Sequence, residues 1–402
     1  MGNTPNIRFK GFTDDWEQRK LMEVAEYRNG KAHENEINDD GEYIVVNSKF
    51  VSTNGEIRKF SYAQNEPLYE NEIAFVLSDV PNGRAIARTF LVDKSGKYTL
   101  NQRIAGITPH EDTDPYYLYI KMNRNEYFLK FDDGNKQTNL SIKDVLNYED
   151  MYPSYKEQQK IGMYFQQLDH LITLHQRKCD ETKKLKKFML QKMFPKKDAK
   201  KPEIRFAGFT NDWEQRKLGD WGDFYYGRSC PKWSVTEDAT IPCIRYGELY
   251  TKFGAKIDRV YSYTNMPPEN LRFSKGTEVL IPRVGENPMD YNHCTWLSMK
   301  DVAIGEMISV FNTDNNPLFT ATMFNATLQN EFAMRVEGGS VTNLYFEKLK
   351  NIDVSFPSIR EQEMIAAYFE NIDNLITLHQ RKCDELKEFK KYMLQNMFPQ
   401  KG

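Results

Sequence analysis

The 402-residue sequence contains no run of 18 apolar residues, and its first residues do not form the hydrophobic stretch of a signal peptide. Cysteine is scarce as well: five cysteines are scattered along the chain, an odd number at spacings that offer no disulfide framework. We therefore expect a cytoplasmic protein with reduced thiols and no membrane span. The 40% hydrophobic content suits globular cores, and the length allows two or three domains.

Motifs for catalysis are absent too. The sequence has no Gly-x-x-x-x-Gly-Lys-Ser/Thr loop, no His-Glu-x-x-His pair, no Gly-x-Ser-x-Gly elbow and no Asn-Pro-Pro-Tyr/Phe signature of amino-methyltransferases. Cys230, Cys243, His293 and Cys294 are metal-binding residue types, but their spacing fits no common zinc pattern. We expect no catalytic, cofactor-binding or metal-binding residues in this chain. A metal-dependent enzyme that uses Cys230, His293 and Cys294 is the alternative.

Two stretches of about 40 residues lack internal proline, and their single glycine is Gly162. Each starts with Ser-x-x-Glu, at Ser154 and at Ser358, a pattern typical of a capping box at a helix start. Each ends at a proline, Pro195 or Pro399, which cannot donate the next backbone hydrogen bond. The sequence therefore predicts two long helices of matching length.

Apolar residues recur in steps of three and four along both predicted helices, which predicts that the helices pack on each other as an imperfect antiparallel coiled coil. Two separate long core helices are the alternative. The seam residues, also expected to serve as spacer and partner-docking positions, are Ile161, Phe165, Leu168 and Ile172 in the first helix and Ile365, Phe369, Ile372 and Ile376 in the second.

A second repeat opens each half of the chain, because residues 5–21 return with little change as residues 202–218. Between the repeats, residues 22–137 and 219–341 share little similarity and contain short β-rich segments separated by turn residues. The predicted order is lobe, helix, lobe, helix, with the bounds 1–152, 153–201, 202–355 and 356–402. The predicted class is α+β, with two pseudo-repeated α/β lobes separated by the long helices.

The net charge of −2 hides an uneven distribution, since residues 153–201 are strongly basic while both lobes are net acidic. The basic excess is either a solvated helix end or a phosphate-facing surface. Arginine and lysine pair with guanine edges or phosphates, and asparagine and glutamine pair with adenine. Candidate DNA-contacting residues are Asn47, Lys49, Arg58, Lys59, Arg84, Arg88, Gln102, Arg103, Gln137, Asn139, Arg245, Lys252, Arg272, Arg283 and Asn343.

The duplicated motifs, taken together, resemble the specificity subunit of a type I restriction–modification system. Three motifs carry the resemblance, and each occurs twice in the same order. They are the helix start Pro-x-x-x-Glu-Gln (from Pro153 and Pro357), the helix core Leu/Ile-Asp-x-Leu-Ile (from Leu168 and Ile372) and the opening Phe-x-Gly-Phe-Thr-x-x-Trp-Glu (from Phe9 and Phe206).

The resemblance implies a non-catalytic subunit with two target-recognition domains, each of which reads one half of a split, asymmetric site in double-stranded DNA. It implies that the helices form a spacer and dock two methyltransferase subunits, which use S-adenosylmethionine. Restriction and translocase subunits would bring ATP and Mg²⁺. A coiled-coil scaffold without DNA readout is the alternative, favoured by the net-acidic lobes.

Overall fold

The computed structural model describes residues 4–33, 35–81, 83–197 and 199–399. The chain divides into two compact units. Unit 1 combines Met1–His175 with Arg381–Gly402, and unit 2 is the continuous segment Gln176–Gln380. Each unit therefore contains one lobe and one half of each long helix. Within the described ranges, no helix is both long and apolar enough to cross a membrane.

The two long helices are Tyr155–Lys192 and Ile359–Asn396, of 38 residues each, which confirms the prediction of a matched pair. In unit 1, the Lys390 Nζ donates a hydrogen bond of 2.6 Å to Asp169, and the Cys383 Sγ lies 3.9 Å from the Ile172 carbonyl oxygen. From the first of these contacts to the second, the residue number rises from 169 to 172 in one helix and falls from 390 to 383 in the other. The helices therefore pack antiparallel, as predicted.

The same contacts recur in unit 2 with the two helices exchanged. The Lys186 Nζ donates to Asp373 at 2.6 Å, and the Cys179 Sγ lies 3.8 Å from the Ile376 carbonyl oxygen. Each of these residues lies 204 positions from its counterpart in unit 1. The duplication in the sequence is therefore a duplication of contacts.

The first lobe is built around an antiparallel sheet with the order Ala25–Asn29, Ile104–Pro109, Ile73–Val76 and Thr89–Leu91. A second sheet has the order Phe60–Ser61, Tyr43–Val46 and Tyr98–Leu100, and its last two strands are parallel. Further pairs join Glu17–Lys20 to Glu149–Tyr152 and Ser78–Asp79 to Thr138–Asn139. The helices of this lobe are Leu21–Val24, Ser48–Ser52, Pro115–Met122, Glu126–Leu129 and Ile142–Leu146.

The second lobe is built around a sheet with the order Asp223–Tyr226, Ile308–Asn312, Glu278–Pro282, Thr295–Leu297 and Lys256–Ile257. Its other sheets are Ser262–Thr264, Ile241–Ile244, Lys300–Ile304 and Phe273–Lys275; Val284–Gly285, Thr342–Asn343 and Glu337–Gly338; and the pair Glu214–Lys217 with Asp353–Phe356. The α-helices are Tyr246–Thr251, Pro317–Thr327, Gln329–Ala333 and Phe346–Leu349, and the 3-10 turns are Leu218–Asp220, Lys232–Ser234, Pro268–Asn270 and Pro288–Asp290.

The two lobes share the topology of their central strands although their residues differ, and the second lobe adds the strands Lys256–Ile257 and Phe273–Lys275. In both, the first strand of the main sheet pairs with the last strand, which pairs with a fully buried central strand, Ile73–Val76 or Glu278–Pro282. Side chains alternate along a strand, so the central strand faces two cores. Ile73 and Phe75 pack toward the helices, whereas Ala74 and Val76 pack toward the second sheet.

The repeated opening segment clamps the start of each long helix. The Arg8 guanidinium donates two hydrogen bonds of 2.8 Å to the buried carboxylate of Glu157 and a third to the Asp14 carbonyl oxygen. Arg205 binds Glu361 in the same way, at 2.6 and 2.7 Å. Hydrogen bonding to these carboxylates raises the pKa of both arginines.

The prediction of a capping box is therefore wrong for the glutamates, whose carboxylates accept from arginine rather than from backbone amides. The neighbouring glutamine instead links the helix start to the preceding segment and to the lobe. The Gln158 Nε2 donates to the Pro153 carbonyl oxygen at 3.0 Å, and its Oε1 accepts from the Asp114 amide at 3.1 Å. Gln362 repeats both bonds. The Pro-x-x-x-Glu-Gln motif thus joins each helix start to its lobe.

Candidate nucleic-acid interface

An edge of the first lobe gathers several predicted DNA-contacting residues. The short strand Thr138–Asn139 pairs with Ser78–Asp79, which directly follows the central strand. The Gln137 Nε2 donates to the Ser78 Oγ at 2.8 Å and to the Asn139 Oδ1 at 3.1 Å. Both Gln137 and Asn139 are exposed.

A loop beside this edge presents two arginines. The Asp79 carboxylate accepts hydrogen bonds from the amides of Ala85 and Ile86, which closes the loop. Arg84 is exposed on it, and the Arg88 Nε donates to the Arg84 carbonyl oxygen at 2.6 Å. We call Arg84, Arg88, Gln137 and Asn139 the first edge cluster. Its side chains combine donors for phosphate or guanine with amides that suit adenine.

The second lobe has an edge at the equivalent place, where Val284–Gly285 pairs with Thr342–Asn343. The Arg283 guanidinium lies over the Tyr226 ring at 4.9 Å, and its buried Nε has no hydrogen-bond partner in the described part of the chain. The Arg272 Nη1 donates to the Tyr226 carbonyl oxygen at 2.8 Å. We call Arg272, Arg283 and Asn343 the second edge cluster.

The remaining candidates lie elsewhere or have local roles. The Asn47 Oδ1 accepts from the Phe50 amide and caps the helix Ser48–Ser52, while the Arg58 Nε donates to the Gly55 carbonyl oxygen. Arg103 is exposed, and its carbonyl oxygen accepts from the Leu77 amide beside the first edge. Lys49 is exposed on the helix Ser48–Ser52, and the exposed side chains of Lys59, Gln102 and Lys252 lie in loops and turns of the lobes. Arg245 is half-buried at the start of the helix Tyr246–Thr251.

The structure separates the residues of the metal-enzyme alternative. Cys230 and Cys243 belong to a small apolar cluster, whereas Cys294 is buried in the main core of the second lobe. The His293 Nδ1 lies 2.6 Å from the Asp290 carbonyl oxygen. Burial raises the pKa of the Cys294 thiol. Within the residues that the structure describes, no group of three or more histidine, cysteine, aspartate or glutamate residues is placed to hold a metal ion.

The long helices expose an apolar flank beside their seam. Six of the eight predicted seam residues are buried, and Ile172 and Ile376 are half-buried. A different set of matched residues is 40–54% exposed. These flank residues are Leu171, Phe389 and Tyr392 in unit 1 and Leu375, Leu185 and Phe188 in unit 2.

Sequence reasoning missed the aromatic residues of the second lobe. Tyr226 organises both arginines of the second edge cluster, and Trp233 is 71% exposed, the highest fraction among large apolar side chains in the described ranges. Gly227 directly precedes Arg228, and Pro231 directly precedes Lys232, so the sequence before Trp233 indicates a loop with two basic residues. That pattern is the signal by which Trp233 could have been found.

Comparison with known proteins identifies the group to which these features belong. The chain matches the family described as "Type I restriction modification DNA specificity domain" twice, over residues 13–184 and 210–388. The specificity subunit of the type I restriction enzyme MjaVIII from Methanocaldococcus jannaschii is 22% identical over 408 residues, which cover 95% of this chain and 91% of that protein.

Two solved structures support the fold. The S subunit of a type I restriction–modification system from M. genitalium matches with a TM-score of 0.68 at 15% identity, covering 99% of this chain and 100% of that one. A chain from a structure on complex assembly and conformational transition of the type I R-M system matches with a TM-score of 0.50 at 16% identity, covering 96% and 98%.

Two lobes that share the topology of their central strands, each framed by the same clamp and packed on halves of the same helix pair, define a protein with a duplicated domain. Because the family matches extend over most of the length, the chain belongs to the type I restriction modification DNA specificity domain family. Within it, the chain is a specificity subunit of a type I restriction–modification system, and the resemblance found in the repeated motifs is confirmed.

Proposed function

We propose that each lobe reads one half of a bipartite, asymmetric sequence in double-stranded DNA. The observation that carries this proposal is the contrast between a duplicated frame and two different edge clusters. The Arg8–Glu157 clamp has its equivalent in Arg205–Glu361, and Asn139 has its equivalent in Asn343. The other members of the two edge clusters differ, with Arg84, Arg88 and Gln137 in the first lobe and Arg272 and Arg283 in the second. Equal frames with unequal reading surfaces fit two unequal half-sites.

The long helices are assigned the role of spacer. A helix of 38 residues extends for about 57 Å at 1.5 Å per residue, which exceeds one DNA turn of about 34–36 Å. Because both lobes are net acidic, phosphate contacts at the basic edges must supply the attraction to DNA. Stable binding is accordingly assigned to the assembled complex.

Catalysis is assigned to partner subunits. Methyltransferase subunits would supply S-adenosylmethionine chemistry, and restriction or translocase subunits would supply ATP and Mg²⁺ chemistry, while this chain contributes recognition. The exchange of a lobe, described next, distinguishes this proposal from the alternative of a scaffold without DNA readout.

Replacing residues 22–137 by the corresponding segment of another specificity subunit is expected to change one half of the methylated sequence and leave the other half unchanged. The reason is that each edge cluster is built within its own lobe, and the exchanged segments contain all of its residues except the matched asparagines Asn139 and Asn343. The measurement is a map of methylated positions in DNA from cells that express the chain with its methyltransferase. The reciprocal exchange of residues 219–341 is the matched control. A change in both halves, or in neither, would contradict modular reading.

We assign methyltransferase docking to the exposed flanks of the helices. In unit 1, Leu171 lies at the level of Phe389, because its neighbour Asp169 contacts Lys390. One residue turns the helix by about 100°, so Leu171 projects beside the seam residue Ile172. Unit 2 repeats the arrangement with its own flank residues. Two copies of one apolar surface suit two copies of one partner.

Leu171→Glu and Leu375→Glu, made singly, are each expected to reduce the bound methyltransferase from two copies to one, and the double variant to none. A charge in a desolvated apolar contact removes its hydrophobic contribution and buries an unpaired carboxylate. Native mass spectrometry of the reconstituted complex measures the stoichiometry. Thr173→Glu, an exposed substitution off the apolar flank, is the control. Full occupancy in the double variant would rule out docking at this surface.

A further inference from the structure

An exposed tryptophan stands out in the second lobe. Trp233 is 71% exposed, whereas the other four tryptophans are buried or half-buried. Tryptophan is strongly buried on average, but single exposed apolar side chains are common on protein surfaces, so the case for Trp233 depends on the turn that holds it and on its neighbours. We propose that the Trp233 ring inserts at a base step of the DNA half-site that the second lobe binds. This inference rests on the proposed function and names a contact within it.

The turn that presents Trp233 is held firmly. The 3-10 turn Lys232–Ser234 ends at Ser234, which is fully buried. The Ser234 Oγ donates to the Pro231 carbonyl oxygen and accepts from the Thr264 Oγ1, each at 2.8 Å, and the Asn265 amide donates to the Ser234 carbonyl oxygen at 2.9 Å. A wedge needs such support, because unstacking a base step costs about a few kcal/mol.

Apolar packing fixes the loop on either side of the turn. Cys230 is buried against Cys243 and Leu271, and Val235 packs on the same cluster. Ser229 and Cys230 both have positive φ, near 60°, a conformation that non-glycine residues rarely adopt. The loop therefore has an unfavourable backbone conformation and exposes its largest apolar side chain to solvent. Both features lower the stability of the fold, and such strain is found mainly at binding and catalytic sites.

The surroundings of Trp233 favour a polyanion. Arg228 and Lys232 are exposed on the same loop, and residues 227–235 contain no acidic side chain; Glu237 and Asp238, which follow shortly after, are exposed as well. The Arg228 amide donates to the Ile304 carbonyl oxygen, while the Ile304 amide donates to the Arg272 carbonyl oxygen. The loop is therefore continuous with the second edge cluster. Glu306, whose amide donates to the Ser229 carbonyl oxygen, is the acidic residue bonded to this loop.

A protein partner is the competing occupant, because tryptophan and arginine are also frequent in protein interfaces. The apolar surfaces assigned to methyltransferase docking lie on the long helices and occur twice. Trp233 has no such duplicate, because residues 30–42 of the first lobe, which follow the equivalent strand, contain no phenylalanine, tyrosine or tryptophan. An unpaired feature on a basic loop fits a half-site read by one lobe.

The test uses the assembled complex of the full chain with its methyltransferase subunits. The probe is a fluorescent duplex of about 30 base pairs with the methylated sequence found by mapping. Trp233→Ala is expected to weaken binding by about 10–100-fold, in line with the loss of one base–aromatic stacking contact, and Trp233→Phe to retain most of the affinity. Met334→Ala, which truncates another highly exposed apolar side chain of the same lobe, is expected to bind like the wild type.

A second readout places the contact. With 2-aminopurine at successive steps of the duplex, a fluorescence change that depends on Trp233 is expected within one half-site only. Unchanged affinity of Trp233→Ala, or a loss of methyltransferase subunits from that variant, would overturn the inference and make Trp233 a surface or protein-docking residue. Failure of the wild-type complex to bind the mapped duplex is a different result, since it would refute the proposed function itself.

Discussion

Replacing Asp150 by valine is expected to lower the free energy of unfolding of unit 1 by about 3–5 kcal/mol, the cost of removing one partner of a buried ion pair. The Lys121 Nζ lies 3.3 Å from Asp150, and both residues are less than 10% exposed. Four aromatic rings surround the ammonium at 5.1–5.7 Å from their centroids: Trp16, Tyr117, Tyr152 and Phe398. Without Asp150, the cation would be left in an apolar core without its carboxylate.

The second lobe shows how the chain dispenses with this pair. Its equivalent positions are Met323 for Lys121 and Val354 for Asp150, and both sit in an apolar core. The double variant Lys121→Met with Asp150→Val is therefore expected to recover stability to within about 1 kcal/mol of the wild type, because apolar replacement of a buried ion pair is often neutral or stabilising. The Tyr148 hydroxyl donates to Asp150 at 2.7 Å and accepts from the Asn125 side-chain Nδ2 at 2.9 Å. It therefore keeps a hydrogen-bond partner when Asp150 is replaced.

Urea-dependent hydrogen exchange resolves the two units. Amides of the strand Ile104–Pro109 report on unit 1, and those of Glu278–Pro282 report on unit 2 as an internal control. A double variant as unstable as Asp150→Val would show that the pair contributes net stability in this core. No loss in the single variant would show that Lys121 escapes to solvent.

Arg205→Met is expected to destabilise unit 2 by about 3–5 kcal/mol, because it leaves the fully buried Glu361 carboxylate without its two charged hydrogen bonds. Arg205 also donates to the Asn211 carbonyl oxygen at 2.7 Å, so the opening segment loses one of its attachments to the long helices. Hydrogen exchange in Glu278–Pro282 measures the effect, while Ile104–Pro109 stays at its wild-type value.

Two variants control this experiment. Arg205→Lys keeps the charge but cannot form the bidentate contact, and it is expected to lose less stability than Arg205→Met. Arg8→Met makes the same change in unit 1 and is expected to reverse which strand loses protection. Equal losses in both units from either methionine variant would show that the clamps do not act locally.

Local and repeated features of the sequence predicted the fold well. The 3.6-residue spacing and the absence of internal proline placed the helices within a few residues of Tyr155–Lys192 and Ile359–Asn396. The strands Tyr43–Val46 and Glu278–Pro282 lie within residues 22–137 and 219–341, where short β-rich segments were predicted. These signals depend only on residues that are close together in the sequence.

Contacts between distant residues were not predictable in the same way. Arg8 and Glu157 are 149 positions apart, and only the folded lobe brings them together. The sequence therefore showed that the opening segment is repeated, but not that its arginine binds the glutamate at the start of each long helix. Phe398 is a similar case, since its ring packs on Phe165 in the core of unit 1, far from it in sequence.

The candidate site was only partly predictable for a chemical reason. Arginine and asparagine contact DNA, but they also cap helices and bind carbonyl oxygens, as Asn47 and Arg58 do. Residue type alone does not separate these uses. The pairing of Val284–Gly285 with Thr342–Asn343 brings Arg283 to Asn343, and that neighbourhood follows from strand order.

The discontinuity of unit 1 has a consequence for biosynthesis. Its first segment ends at His175, and the core is completed only by Met393, Met397 and Phe398, after all of unit 2 has been translated. At about 5–20 residues per second, the intervening 205 residues take about 10–40 s. Throughout that interval the first lobe is attached to the ribosome without the residues that complete its core. Unit 1 therefore begins to be synthesised first but completes its fold last.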